Sequence, residues 1–147
     1  MPEGISSSSA PLTAITQPGA PTGLTLGTAT TSAQPLTWTA PASTGGSALT
    51  DYVVQYAPAG SGSWTTFADG TSTSTSATVT GLTGGTSYDY RVAAVNAAGT
   101  GTYSGTATGS TAAGASTPGA PSSIGFGTVS ATQIPMSWAA PASDGGS

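Results

Sequence analysis

Large apolar side chains recur at every second position in short bursts along this chain, and Pro, Gly or runs of Ser and Thr separate the bursts. Leu24 and Leu26 form the first burst, Leu36 and Trp38 the second, and Tyr52, Val54 and Tyr56, preceded by Leu49, the third. Trp64 and Phe67 mark a shorter strand, Ala77 and Val79 another, and Tyr88, Tyr90, Val92 and Ala94 the longest, with Tyr103 at the opening of a last one. A period of two places such side chains on one face of a pleated strand. The helical period of 3.6 appears nowhere, and the abundance of Thr, Val and Tyr between Gly turns also favours strands. The pattern therefore predicts an all-β fold, a seven-stranded antiparallel sandwich. Its apolar faces predict a shared core of Trp38, Tyr56, Leu82, Tyr88 and Val92.

The chain repeats itself at an offset of one hundred positions. Pro18 to Ser47 aligns with Pro118 to Ser147 without a gap, and half the positions are identical, among them Pro21/Pro121, Gly27/Gly127, Trp38/Trp138, Pro41/Pro141 and Gly45/Gly145. A repeat this long is a whole domain with its linker, not a solenoid unit. The expected organisation is an extended N-terminal arm at 1–17, a complete domain at 18–110, a linker at 111–117 and the start of a second, incomplete repeat at 118–147. Two strands alone are marginal in water. The apolar Ile124, Phe126, Met136 and Trp138 are thus expected to be covered by more chain or by a neighbour. The arm holds only Ile5, Leu12 and Ile15 as sizeable apolar groups and is too poor in them to form a core of its own.

The stretch GLTGGTSYDYRVAAVNAAGTGTYS, Gly81 to Ser104, resembles the corresponding region of fibronectin type III domains, with Leu82 and Tyr88 at the family's corner and Trp38 at its core tryptophan. The resemblance runs from Pro18 to about Ser110. It implies an immunoglobulin-like sandwich in which the Tyr88 hydroxyl bonds to backbone upstream while its ring fills one end of the core. No Cys pair flanks Trp38, which excludes the antibody type. Where some members of the family carry an Arg-Gly-Asp adhesion sequence, this chain has the uncharged Asn96-Ala97-Ala98-Gly99-Thr100-Gly101, so integrin-type recognition is not supported.

Composition removes most chemistry. Charged residues are 4% of the chain, Lys and Arg together number 1, and the formal net charge is -4. A single Arg91 cannot neutralise a phosphate backbone, which argues against nucleic acid. Without His or Cys there is no thiolate or imidazole for a nucleophile, a base or a metal, so no catalytic residue, cofactor or metal site is expected. Asp51, Asp69 and Asp89 read as turn or surface carboxylates, and Asp89 shares the outward face with Arg91, predicting a weak exposed ion pair. Thr71 to Ser76 reads as a flexible connection. Trp64 stays open between covering a sheet edge, the commoner use, and stacking on a sugar ring.

These features point to a structural or binding module. The leading expectation is a bacteriophage virion protein, such as a capsid decoration, head fibre or tail fibre. The N-terminus shows no secretory signal pattern, and the arm, with Leu12 and Ile15 as anchors, would dock on another virion or surface protein in a symmetric multi-copy assembly. The alternative is an accessory spacer or binding domain of a secreted bacterial polysaccharide-degrading enzyme, and an animal-type adhesion receptor is a distant third. Trp64 would then meet a cell-surface glycan or a polysaccharide. No run is apolar and long enough to predict membrane insertion.

Overall fold

The computed structural model describes residue 4 and residues 12–146. The strands form where the alternating pattern places them. β1 (Thr22–Leu26), β2 (Ala33–Thr39) and β5 (Ser76–Thr80) make one antiparallel sheet in the order β1-β2-β5. β3 (Asp51–Pro58), β4 (Thr65–Thr66), β6 (Ser87–Asn96) and β7 (Gly99–Tyr103) make the other in the order β4-β3-β6-β7, and β8 (Ala107–Ser110) pairs with the remaining length of β6. No helix occurs among the described residues.

The inner faces of the two sheets meet in one core. Leu36, Trp38 and Val79 come from the first sheet, and Tyr52, Val54, Tyr88, Tyr90, Val92 and Ala94 from the second, with Leu82 from the turn between β5 and β6. Trp38 and Tyr52 pack edge to face at 5.3 Å between ring centroids. Tyr56 differs from Trp38, Leu82, Tyr88 and Val92 in being only half-buried. Tyr56 pairs with Thr65 of the two-residue edge strand β4, and its ring meets that of Tyr88 edge to face at 6.1 Å. At the corner the Thr83 N–H donates to the Tyr88 hydroxyl at 3.0 Å, the bond that the resemblance implies.

Three details depart from the sequence reading. Trp64 and Phe67 flank β4 and do not lie within it. Tyr103 closes β7 where it was expected to open the last strand, because pairing with β6 already begins at Asn96↔Gly99. The last strand is also broken in two. At the break Ser104 substitutes for a regular ladder: its N–H donates to Val92 O at 2.8 Å, and its hydroxyl accepts the Val92 N–H at 3.1 Å. Both Val92 backbone groups are therefore paired, as a buried position requires.

β9 (Ser122–Phe126) and β10 (Met136–Ala139) form a two-stranded sheet of their own. Its register, Met136↔Phe126, Ser137↔Gly125 and Ala139↔Ser122, duplicates that of β1 and β2, Leu26↔Leu36, Thr25↔Thr37 and Thr22↔Thr39. The irregularity in β1 is repeated as well: Gly23 at φ +62° corresponds to Ser123 at φ +53°, where serine takes on a left-handed strain that glycine avoids. Ile124, Phe126, Met136 and Trp138, the counterparts of the buried or half-buried Leu24, Leu26, Leu36 and Trp38, are exposed.

Of the arm, Leu12 and Ile15 are exposed, at 99% and 51%, and Ile5 lies outside the described residues. The arm does not remain separate through residue 17, because the Thr16 N–H already donates to Gly45 O at 2.9 Å and Pro18 is buried.

Candidate interaction face

Alternation sends Gln55 from β3 and Arg91 from β6 to the outward face of the second sheet, and the β3–β6 register puts them directly opposite one another. Arg91 Nε and Nη2 both donate to Gln55 Oε1, at 2.9 and 2.7 Å. The Gln55 amide is oriented in turn by donating from Nε2 to Thr66 Oγ1 on β4 at 3.0 Å. Trp64, at the start of the β4 segment, and Tyr103, from β7, approach the guanidinium from the two sides of β6. Arg91 Cζ stands 4.1 Å from the centroid of each ring. Both rings and Arg91 are half-buried. A guanidinium suits this position because it is planar and weakly hydrated, so it stacks on aromatic faces while it donates in its own plane.

The outcome corrects the expected Asp89–Arg91 pair. Arg91 is committed to Gln55 and the two rings. The Asp89 carboxylate instead accepts the Thr108 hydroxyl at 2.6 Å and the Gly60 N–H at 2.8 Å. Those two bonds, the Thr108 hydroxyl first, hold the Asp89 carboxyl below its ordinary range. Asp51 accepts the Ser72 N–H at 2.9 Å, which ties one end of the Thr71–Ser76 connection, and Asp69 is exposed in the neighbouring turn. Among the described residues no group of three or more His, Cys, Asp or Glu comes together in a way that could hold a metal ion.

Trp64 belongs to the Arg91 stack, while Leu12 and Ile15 stand exposed on the segment that precedes the sandwich. The sequence marks Tyr103 as a strand residue with no role on this face, and it does not single out Gln55 at all. Gln55 carried the right parity, one residue from Val54, but its partner lies across a pairing that the sequence does not display.

The sequence matches the fibronectin type III domain over residues 19–110. The chain belongs to the fibronectin type III family. Exoglucanase A of Cellulomonas fimi is 36% identical over 146 aligned residues, which cover 92% of this chain but 15% of that enzyme, so the chain spans a small fraction of its relative's length. A multi-domain crystal structure from titin matches 65% of the chain, and 32% of its own, at 34% identity and a TM-score of 0.61. The FN1–FN3 domains of chicken CNTN1 match 84% of the chain, and 42% of their own, at 27% identity and a TM-score of 0.60. Fibronectin type III domains serve characteristically as non-catalytic modules, and the sandwich described above is one. None of these three relatives is a virion protein, and the expectation of a virion part gains no support from them.

Proposed function

We propose that this chain is an accessory spacer and binding region of a secreted bacterial polysaccharide-degrading enzyme, that residues 118–147 open a second fibronectin type III module, and that the Trp64–Arg91–Tyr103 face meets the polysaccharide. The observation that carries the reading is the 36% identity with exoglucanase A across 92% of the chain, an alignment that runs past the first sandwich into the second repeat. The face supplies a fitting chemistry. Aromatic rings stack on the apolar faces of sugar rings, and Gln55, Thr66 and Arg91 add hydrogen-bonding groups beside them. With one basic residue in the chain and that one already engaged, a neutral polyhydroxyl chain suits this surface better than an anionic polymer.

Retention of the chain on suspended insoluble cellulose, measured by depletion from the supernatant, tests the proposal. Binding is expected to fall at least tenfold in Trp64→Ala with cooperative unfolding retained. Equal retention of the wild type and Trp64→Ala would remove this face from the binding role. No retention on cellulose, xylan or chitin would leave a spacer without affinity.

A further inference from the structure

An Asp or Asn side chain is open to attack at its carbonyl carbon by the main-chain nitrogen of the next residue, most readily when that residue is Gly and no side chain stands in the way. The chain holds two Asp-Gly steps, Asp69-Gly70 and Asp144-Gly145, and one Asn, Asn96. Asp51 and Asp89 are each followed by a bulky Tyr inside a paired strand.

The fold holds two of the three candidates still. Asn96 is 4% exposed, donates from Nδ2 to Thr16 O at 2.7 Å and Thr44 O at 2.8 Å, and accepts the Ala98 N–H on Oδ1 at 2.8 Å. Asp144 Oδ1 accepts the Gly146 N–H at 2.9 Å, and Gly145 is buried, its N–H donating to Ser143 Oγ at 3.3 Å and its carbonyl accepting the Ser116 N–H at 2.7 Å.

Asp69-Gly70 is different. Both residues are exposed, on the irregular crossing from β4 to β5. The Phe67 N–H donates to Val54 O and the Ser72 N–H to Asp51 Oδ1, both at 2.9 Å, and between these ties no other described residue is hydrogen-bonded to Ala68, Asp69 or Gly70. Backbone so exposed and unbonded opens at little cost. Gly70 has φ +81°, and a Cβ there would meet nothing within 4 Å, so the approach to its nitrogen is clear. Partial desolvation, opposed by its own N–H and then aided by the charge of Asp51, raises the Asp69 carboxyl above its ordinary 3.8 and favours the acid form, which departs more easily as water.

We infer that Asp69-Gly70 is a self-modification site of the folded chain, where Asp69 isomerises to isoaspartate while Asp144 and Asn96 are held back. The Gly70 nitrogen bonds to Asp69 Cγ and gives up its proton, and the carboxyl hydroxyl leaves with that proton as water, closing a cyclic imide. Water then adds back. Cleavage of the bond from the nitrogen to Asp69 Cγ restores aspartate, and cleavage of the bond to the Asp69 main-chain carbonyl leaves isoaspartate. No atom is gained or lost overall, and nothing is oxidised or reduced. The main chain becomes one methylene longer between the ties at Phe67 and Ser72, where it has no ladder bond to break.

Incubation of the full chain at mildly acidic pH, followed by digestion with a protease that cuts before aspartate but not before isoaspartate, reads the conversion site by site, with mass spectrometry to detect the imide as a species one water lighter. In the folded chain Asp69 is expected to convert at least tenfold faster than Asp144, with Asn96 unchanged in mass. In denaturant the two Asp-Gly steps are expected to convert at similar rates. Asp69→Glu keeps the charge but requires a larger ring, and it should abolish the product with cooperative unfolding retained. Equal conversion of Asp69 and Asp144 in the folded chain, or conversion of Asp69 only in denaturant, overturns the inference.

Discussion

Tyr88 and Tyr90 lie next to each other on the inner face of β6, their ring centroids 6.4 Å apart, yet only one of the two hydroxyls is bonded. Tyr88 accepts the Thr83 N–H, whereas the Tyr90 hydroxyl is fully buried without a hydrogen-bond partner. Burial, followed by the nearby Tyr88, pushes the Tyr90 phenol up to about 12.

Removing the Tyr90 hydroxyl relieves an unmet buried group and keeps the ring. Tyr90→Phe is expected to raise stability by about 1 kcal/mol, seen as a higher denaturant midpoint at an unchanged slope. A lower midpoint would mean that the hydroxyl has a partner in solution.

The adjacent substitution has the opposite sign. Tyr88→Phe strips the Thr83 N–H of its acceptor and is expected to destabilise by about 1 to 2 kcal/mol. Chemical denaturation of the two variants side by side tests the contrast, and equal effects would contradict it.

Alkaline titration separates Tyr90 further. Its folded-state pKa lies above the ordinary 10.0, so between about 10 and about 12 the unfolded chain ionises first and binds fewer protons. The contribution of this group is whole below 10 and is lost as pH rises toward 12. Thermal melts of Tyr90→Phe should lose less stability across that window than the wild type.

Asp89 acts at the other end of the scale. Its carboxyl is held below its ordinary value of 3.8, so its contribution is present above that value and disappears as pH falls through the lower, folded-state value. Melting temperatures of the wild type and Asp89→Asn should converge as the medium is acidified below about pH 4. Through the neutral range both should be flat, since the chain has no His.

Trp38 tests the core as a whole. It is 6% exposed and in contact with Tyr52, and Trp38→Ala is expected to cost about 3 to 5 kcal/mol. Calorimetry should show a much lowered transition or none. A loss below about 1 kcal/mol would mean that the indole contributes little to packing.

The inner faces were legible because parity is a local property: Leu36 and Trp38, or Tyr88, Tyr90 and Val92, declare a common face within a few residues. The outward stack was not legible in the same way. Arg91 finds Gln55 only through the β3–β6 register, and Trp64 and Tyr103 only through the strand order, neither of which is written in local spacing. The ion pair with Asp89 looked natural by parity. It lost to Gly60 and Thr108, which the chain brings in from a turn and from β8. The split of the last strand depended on one hydroxyl, that of Ser104, replacing a ladder partner, and one serine among many carries no such sign.

The duplicated hairpin bears on how such an array reaches its native state. β9–β10 reproduces the register of β1–β2, so a newly made sheet presenting Tyr52, Val54 and Tyr88 meets two candidate covers on one polypeptide. Strand exchange between neighbouring repeats is a characteristic misassembly of tandem proteins. The substitutions that separate the copies, Leu24 to Ile124, Leu26 to Phe126 and Leu36 to Met136, change the shape of the apolar face while conserving its pattern. These differences of shape are expected to favour β1–β2 over β9–β10 as the cover of that sheet, so that kinship of pattern does not become interchangeability of parts.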